Sequence, residues 1–338
     1  MTIPAATPAV TDPLAPVLMT LAGIAYGKPA AIPHYLGPDT LTAEHWSIVW
    51  IADDLAVPVN FAFIAKNAST GAYAIVIRGT YPDPFSSAYW DDANEDSPIG
   101  PMHSWPGATD SLAQVAGGTW AGFQRVLALM GAGQSLAQAI AALPATATVY
   151  VTGHSLGGTL APVIGLWMSE QPGFAVPSVY AFAGMTPGNA AFAALFGPGT
   201  ALAGRVWRYN NTLDTVGYGW DRVLDTRRFY QPAPSGGLLV EGAIVAMALR
   251  LMPYGYTGFG TIVDLPGVLS TPVIDCEFVA YLLENLHQHM PDTYLALLGA
   301  PPLPFSIGFG AVVAPRDSSA AVAAPAGVGR GVPVYYSS

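Results

Sequence analysis

Charged residues are scarce in this chain. Asp, Glu, Lys and Arg make up 10% of its 338 residues, whereas ordinary soluble domains carry about 25%. The 22 Asp and Glu outnumber the 12 Lys and Arg, so the net charge is −10. Nucleic acids and anionic membrane lipids both select clusters of basic residues. The composition therefore excludes nucleic acid as a partner and predicts that an anionic membrane surface repels the chain.

Cysteine is almost absent, since Cys276 is the only one. A single cysteine excludes a disulfide within the chain and a zinc site built from cysteines. A fold of this length does not need disulfides for stability, so the redox compartment stays open.

Long apolar runs are missing as well. A membrane-spanning helix needs about 18 or more consecutive apolar residues, and the longest candidate, residues 238–252, is interrupted by Glu241 and Arg250. The sequence therefore predicts no transmembrane segment. The first residues are rich in Pro and contain no Lys or Arg before Lys28. They lack the charged start and apolar stretch of a secretory signal, which leaves the localisation open.

Apolar residues are plentiful, at 52% of the chain. This is enough for a large core and excludes disorder for the bulk of the sequence. The length fits two domains, or one α/β domain with insertions. Residues 311–338 are rich in Ala, Gly, Pro and Ser, which bury too little surface to offset the entropy of ordering. We predict weakly ordered tails at 1–13 and 311–338 around one folded domain at 14–310.

The folded part alternates strand-like and helix-like segments. A β-branched run at 146–152 predicts a buried strand, and residues 156–170 predict a helix that Pro162 should kink. Strands separated by helices need crossover connections, which favours an α/β fold with a mostly parallel central sheet and helices on both faces. Further strands are expected at 61–65, 73–77, 178–182 and 205–209, and further helices at 120–130, 135–143, 238–252 and 278–288.

The segment Gly153-His154-Ser155-Leu156-Gly157 fits the pattern G-x-S-x-G. It follows an apolar strand and opens a helix, which is the setting of a nucleophile elbow, the sharp turn that exposes a reactive serine. Cβ atoms in place of the two glycines would collide with the neighbouring strand and helix. The free N–H groups at the helix start point at the reacting atoms. We therefore predict that Ser155 is a nucleophile.

A serine nucleophile needs a base, and in this architecture the chain order is serine, acid, histidine. Of the six histidines, only His287 and His289 follow Ser155. We expect His289 just past the end of a helix, on a loop from which it can swing toward the serine, and His287 on the helix itself. His289 is the preferred base, and His287 is the alternative.

The acid is expected at Asp214. This residue follows the strand at 205–209 by a short polar loop, and a carboxylate just beyond the carboxyl end of a strand lies on the same rim as the elbow. Three other aspartates compete for the role, and the most serious is Asp264, because it also follows an apolar run. The other two are Asp221 and Asp225.

Acyl transfer also requires N–H donors for the oxyanion. The backbone N–H of Leu156, directly after the nucleophile, is the first donor. The second should come from the loop after an earlier strand, where Arg78-Gly79-Thr80 follows the strand at 73–77. Gly79 lets the backbone turn close to a substrate, and Thr80 can supply its N–H and its hydroxyl.

Six segments, in the same order, resemble the class 3 (fungal-type) lipases of the α/β-hydrolase fold, over roughly residues 73–294. They match that family's oxyanion segment, its H-x-G-F segment, its nucleophile consensus, its T-F-G-x-P-R-V-G-N block, its acid segment and its histidine segment. In that order they are IVIRGT at 75–80, GTWAGF at 118–123, VYVTGHSLGGTLA at 149–161, VYAFAGMTPGNAAF at 179–192, RYNNTLDTVGYG at 208–219 and HMPDTYL at 289–295.

The resemblance implies an α/β-hydrolase fold, a triad of Ser155, Asp214 and His289, and an oxyanion hole formed by Thr80 and Leu156. These residues agree with those preferred from the local patterns alone. The match departs from the family at three positions, none of which is a triad member. Trp120 stands where the family has His, Thr186 where it has Arg, and Gly217 where it has Pro.

Lipases of this family cover the site with a lid after the oxyanion segment, and residues 81–113 occupy that place. Their acidic and apolar residues suit a flap with one wet and one apolar side, which we expect to gate an acyl pocket. Residues 222–270, which include the apolar helix at 238–252, form a second candidate cap, although such helices are as often core. The acidic cluster of the lid segment is Asp91, Asp92, Glu95 and Asp96.

The resemblance implies a carboxylic ester hydrolase, a lipase or esterase, that acts through an acyl-enzyme and needs no metal or cofactor. The expected substrate is a lipid or small ester, including one presented at an oil–water interface. Two other functions stay open at this point. One is a catalytically weak lipase-like scaffold that binds lipid or a partner protein, and the other is an acyltransferase that uses the same triad.

Overall fold

A computed structural model describes residues 12–37, 45–53, 59–82, 87–108, 112–231, 233–270, 275–305 and 307. Of the two predicted tails, residues 1–11 and 311–338 lie outside the described residues. The α-helices are α1 Leu14–Ile24, α2 Ile32–Tyr35, α3 Ser87–Glu95, α4 Gly117–Ala128, α5 Leu136–Ala141, α6 Leu156–Glu170, α7 Ala190–Ala194, α8 Gly237–Leu251, α9 Glu277–His289 and α10 Pro291–Leu297.

The strands are β1 Trp46–Ile51, β2 Ala62–Asn67, β3 Tyr73–Ile77, β4 Met102–Ser104, β5 Gln114–Ala116, β6 Met130–Gly131, β7 Gln134–Ser135, β8 Val149–His154, β9 Ser178–Phe182, β10 Val206–Asn211 and β11 Thr261–Leu265. Short 3₁₀ turns are formed by Pro29–Ala31, Val216–Tyr218, Val223–Arg228 and Met252–Tyr254.

Seven strands form the central sheet, in the order β1-β2-β3-β8-β9-β10-β11. The pairs β1–β2 and β2–β3 are antiparallel, whereas β3, β8, β9, β10 and β11 are mutually parallel. The prediction of a mostly parallel sheet is therefore confirmed. The parallel strands end at one edge of the sheet, and this edge carries Ser155 after β8 and Asp214 after β10.

The helices that flank the sheet are largely buried. Helix α6 packs against β8 and β9, and α1 packs against β8 and against α10. Most residues of α1 and α6 are buried, which explains why neither shows a clean amphipathic pattern. The strands predicted at 73–77 and 178–182 and the helix predicted at 156–170 are confirmed with the same bounds. Helix α1 and strand β1 were not anticipated.

The segment 81–113, the candidate lid, contains α3 and β4, and β4 pairs with β5. We expected the acidic cluster of this segment to face solvent. This is wrong for Asp92 and Glu95, which are buried. Their carboxylates accept hydrogen bonds from Asn60, through its backbone N and its side-chain amide respectively. These acids fix α3 to the core. Whether part of the segment moves as a lid stays a prediction.

Helix α8 lies on the surface instead of in the core. Among its residues only Leu251 is buried. Together with the turn Met252–Tyr254, it forms the one helix in the described part of the chain that is long and apolar enough to cross a membrane, by length and composition alone. The sequence analysis considered only residues 238–252, which Glu241 and Arg250 interrupt. The prediction of no transmembrane segment stays a prediction. The assignment of residues 222–270 as a cap stays a prediction.

Candidate active site

The nucleophile elbow is built by the turn between β8 and α6. Ser155 has φ 60° and ψ −126°, a backbone conformation that a residue with a side chain adopts at a cost in energy. A Cβ at Gly157 would collide with the Ile77 carbonyl, and one at Gly153 would lie 2.7 Å from the same oxygen. The expected steric reason for the two glycines is thus confirmed. The tight turn brings Ser155 to the top of the sheet, where its N donates to Phe182 O at 3.0 Å.

Three side chains form a continuous hydrogen-bonded chain at this edge of the sheet. The hydroxyl of Ser155 lies 2.8 Å from Nε2 of His289, and Nδ1 of His289 lies 2.9 Å from Oδ2 of Asp214. A carboxylate only accepts, so Nδ1 carries the proton and Nε2 is free to accept from the serine hydroxyl. This is the tautomer that a general base needs.

Asp214 is fully buried and held from several sides. Its Oδ2 accepts from the Tyr294 hydroxyl at 2.8 Å as well as from His289, and its Oδ1 accepts from Val216 N at 2.9 Å. Burial, followed by the charge of Asp214, raises the pKa of Tyr294 well above its ordinary value. Tyr294 therefore stays a donor and keeps the carboxylate oriented toward the imidazole.

The competing residues lie elsewhere. Asp264 is exposed on β11, Asp221 accepts from the Thr186 hydroxyl, and Asp225 pairs with Arg222. The ring of His289, not that of His287, contacts Ser155 and Asp214.

The expected position of His289 on a loop is wrong, because it is the last residue of α9. Met290 is extended at ψ 144°, as expected for a residue before a proline, since the proline ring disfavours the helical conformation there. Helix α9 therefore ends at His289, and the imidazole extends from its last turn.

The oxyanion segment lies directly against the elbow. A Cβ at Gly79 would lie 2.6 Å from His154 O and 3.0 Å from Ser155 Cβ, so no larger residue fits between the two turns. Thr80 follows Gly79, and its hydroxyl donates to Asp96 Oδ2 at 3.4 Å. Leu156 is the first residue of α6, where backbone N–H groups lack a partner within the helix. Thr80 and Leu156 thus flank Ser155 on adjoining turns.

Two buried residues that the sequence analysis did not single out, Tyr26 and His154, connect the oxyanion segment to His289. Nε2 of His154 lies 2.8 Å from the backbone oxygen of His289, and Nδ1 of His154 lies 3.0 Å from the hydroxyl of Tyr26. A carbonyl only accepts, so His154 donates through Nε2 and accepts from Tyr26. Burial, followed by the charge of His289, lowers the pKa of His154 well below its ordinary value. The Tyr26 hydroxyl also accepts from Gly79 N.

The residues 74–217 match the family model of the class 3 lipases. This stretch contains the elbow, the oxyanion segment and the candidate acid described above. This part of the chain is similar to the class 3 lipases. No curated protein matches the chain, so the similarity to this family rests on the family model over residues 74–217.

Solved structures resemble this protein in fold. The crystal structure of M37 lipase is 23% identical, with a TM-score of 0.66, and the match covers 85% of this chain and 91% of that one. The crystal structure of Lip2 lipase from Yarrowia lipolytica is 17% identical, with a TM-score of 0.50, and the match covers 83% of this chain and 91% of that one. Together with the sheet order, they identify the α/β-hydrolase fold.

Sequence reasoning named Ser155, Asp214 and His289, and the structure brings these three together. It gave no role to Tyr26, His154 or Tyr294. The histidine segment HMPDTYL placed a tyrosine near the candidate base, which was the only signal for Tyr294. Tyr26 lies 128 positions from His154, and no local pattern relates residues so far apart.

Removing the Tyr26 hydroxyl is expected to slow ester hydrolysis. The variant Tyr26→Phe leaves the buried Nδ1 of His154 and the N–H of Gly79 without their partner, and an unpaired buried group costs about 1–3 kcal/mol. We expect kcat to fall roughly tenfold with little change in KM, because the link positions His289 and the oxyanion segment rather than substrate. Tyr35→Phe is the control, since the Tyr35 ring packs against Phe305. Equal kcat in Tyr26→Phe and wild type would show that the hydrogen bonds of Tyr26 do not contribute to catalysis.

Glu95, in the acidic cluster of α3, makes the free energy of unfolding depend on pH. Burial raises the pKa of Glu95 from 4.5 to about 7, despite hydrogen bonds and charge from Asn60 and Arg125 that act the other way. The folded chain therefore binds a proton there that the unfolded chain has released, so the free energy of unfolding falls as pH rises from 4.5 through 7.

Glu95→Gln cannot ionise, and we expect it to lose less stability than wild type between pH 5 and pH 8. The difference should amount to about 1–3 kcal/mol, because one pKa unit corresponds to about 1.4 kcal/mol. Urea unfolding at the two pH values measures it. Asp91→Asn is the matched control on the exposed side of α3 and should keep the slope of wild type. A Glu95→Gln variant with that same slope would assign the pH dependence to other groups.

Proposed function

We propose that this protein hydrolyses carboxylic esters of lipids, with Ser155 as nucleophile, His289 as general base and Asp214 as the orienting acid. The observation that carries this proposal is the hydrogen-bonded chain from the Ser155 hydroxyl through the His289 ring to Asp214. It joins residues from three separate parts of the chain in the order and tautomer that acyl transfer requires.

In the proposed reaction, Nε2 of His289 takes the hydroxyl proton as Ser155 attacks the ester carbonyl. The backbone N–H groups of Leu156 and Thr80 stabilise the negative oxygen of the tetrahedral intermediate. His289 then gives its proton to the leaving alcohol, which departs and leaves an acyl group on Ser155. Asp214 stabilises the imidazolium throughout, and its bond from Tyr294 keeps it in place. Water, activated by His289, finally releases the carboxylic acid.

The closeness of His154 to His289 gives a reason for a neutral His154. A positive charge on His154, whose ring centroid lies 4.9 Å from that of His289, would oppose the imidazolium that forms in the transition state. Burial lowers the pKa of His154 and so keeps its ring neutral. The positive charge that develops on His289 is therefore stabilised by Asp214 and is not opposed by a charge on His154.

Two substrates test the proposal. We expect hydrolysis of soluble p-nitrophenyl butyrate and of emulsified tributyrin, and we expect Ser155→Ala to abolish both. A folded wild-type protein that hydrolyses neither would favour the binding scaffold. Activity on the soluble ester alone would make the protein an esterase, and transfer of the butyryl group to an added alcohol in preference to water would make it an acyltransferase.

A further inference from the structure

A cavity of about 620 Å³ lies at the end of helix α6 that is remote from the candidate triad. The helix starts directly after Ser155 and ends at Glu170, which lines the cavity. At a rise of 1.5 Å per residue, its length separates the two residues by about 22 Å. The volume is that of a small-molecule site, since such sites occupy about 300–1,000 Å³. The cavity is therefore a place for a ligand apart from the reacting atoms.

Aromatic rings form much of the wall of this cavity. The rings belong to Trp105, Trp120, Trp167 and Phe123. The Phe123 ring lies between the others, because its centroid is 5.5 Å from those of Trp105 and Trp120 and 6.4 Å from that of Trp167. Aromatic faces, and indole faces most strongly, attract a positive charge that lies within about 6 Å of the ring centroid. The wall therefore favours a cation.

A carboxylate adjoins these rings. Both oxygens of Glu170 accept from Nε1 of Trp105, at 2.8 and 3.0 Å. Glu170 is the only ionisable side chain among the described residues that line the cavity, and no Lys or Arg in the described part of the chain forms an ion pair with it. Burial raises its pKa, although the hydrogen bond from Trp105 acts the other way. A cation in the cavity would offset this cost of burial.

Two helices also end at the cavity. The last residues of α4 and α6, Ala128 and Glu170, both line it. The carboxyl end of a helix carries a partial negative charge of about half an electron. The basic residue in the last turn of α4, Arg125, pairs with Glu95 and does not line the cavity. The helix ends, the carboxylate and the ring faces thus all favour positive charge at the same place.

The composition of the wall selects the kind of cation. A calcium ion takes six to eight oxygen ligands, and the single carboxylate of Glu170 supplies too few. A primary ammonium needs an acceptor for each of its three N–H groups, whereas a quaternary ammonium has none to satisfy and contacts aromatic faces through its methyl groups. We propose that this cavity binds a quaternary ammonium group between the indole rings and Glu170. The proposal goes beyond ester hydrolysis and does not depend on it.

Titration of the protein with choline chloride tests the proposal. Tryptophan fluorescence is the readout, because the ligand contacts indole rings, and NaCl at the same ionic strength is the blank. We expect a saturable change that fits one site. The control ligand is the neutral alcohol in which a tert-butyl group replaces the trimethylammonium group of choline. It has the same shape without the charge, and we expect it to bind at least about tenfold more weakly.

Two variants of the wall are expected to weaken choline binding at least about tenfold. Glu170→Gln removes the charge but keeps an oxygen that can accept from Trp105, and Trp120→Leu removes one ring face. Glu241→Gln is the matched control, since it removes one acid from α8, outside the cavity. Ser155→Ala should bind choline like wild type, so failure of this proposal is distinguishable from failure of the proposed ester hydrolysis.

Three results would overturn the proposal: no saturable change with choline, equal affinity for choline and the neutral alcohol, or a Glu170→Gln variant that binds choline like wild type. The second would make the cavity a merely apolar site. Circular dichroism checks the fold of each variant, and if a variant does not fold, the comparison of the two ligands on wild type still decides.

Glycerophosphocholine distinguishes the sources of the quaternary ammonium group. If it binds more tightly than choline, the ligand is the choline headgroup of a lipid. If it binds more weakly, the ligand is a free quaternary ammonium compound. Either order supports the proposal, because the group recognised in the cavity is the same.

Discussion

Replacing Ser155 with Ala is expected to lower kcat for p-nitrophenyl butyrate by at least about 10⁴-fold. Ser155 is the only side chain whose hydroxyl lies against Nε2 of His289 in the described part of the chain, so the variant keeps the base but has nothing for it to deprotonate. The oxyanion donors and the binding surface remain, and they leave a small residual rate over the uncatalysed reaction. Steady-state kinetics on identically prepared proteins measures the ratio.

The paired variant His289→Ala sharpens this test. Residues that act as one unit are not additive, so Ser155→Ala/His289→Ala should be no slower than Ser155→Ala by itself. A further large loss in the double variant would mean that the two residues act separately. Activity of Ser155→Ala within about tenfold of wild type would point to a different nucleophile.

Asp214→Asn is expected to lower kcat by about 10³- to 10⁴-fold, with a smaller change in KM. An asparagine keeps the size of the side chain, but its amide presents a donor where Nδ1 of His289 also donates. The imidazole is then held in the wrong tautomer, or rotates away from Ser155, and the imidazolium of the transition state loses its counter-charge. Because Val216 N can still donate to the remaining oxygen, as it does to Oδ1 of Asp214, the loss reports on charge and tautomer more than on folding.

The matched control for Asp214 is the strongest sequence competitor, Asp264. It is exposed on β11, and Asp264→Asn should keep kcat and KM within about twofold of wild type, as is usual for surface positions. If Asp264→Asn were the slower variant, the choice of acid would be wrong, and β11 would carry the third member of the triad.

The sequence identified the elbow because everything that defines it is local. A strand, a five-residue motif and a helix follow one another, and the clash of a Cβ at Gly157 with Ile77 O is the physical reason for the pattern. Chain order and position after a strand were enough to choose Asp214. The same local reasoning misplaced His289, since the effect of Pro291 reaches Met290 and not the histidine before it.

Other features required the folded chain. The link from Tyr26 through His154 to His289 O joins three distant parts of the sequence, each of which looks ordinary by itself. The acidic residues of α3 have the composition of a solvated surface, yet Asp92 and Glu95 are buried against Asn60. Helix α8 is apolar except for Glu241 and Arg250, and such a pattern does not distinguish a core helix from one that lies on the surface.

The central claim is that Ser155 carries the acyl group of the substrate. Intact-protein mass spectrometry after reaction with a p-nitrophenyl phosphonate ester tests it most directly, because the phosphonyl group is trapped on an activated serine. We predict one phosphonyl group per chain, mapped to Ser155, with release of one p-nitrophenol, and none on His289→Ala over the same time. An adduct on another residue, or a folded protein that forms none, would contradict the account.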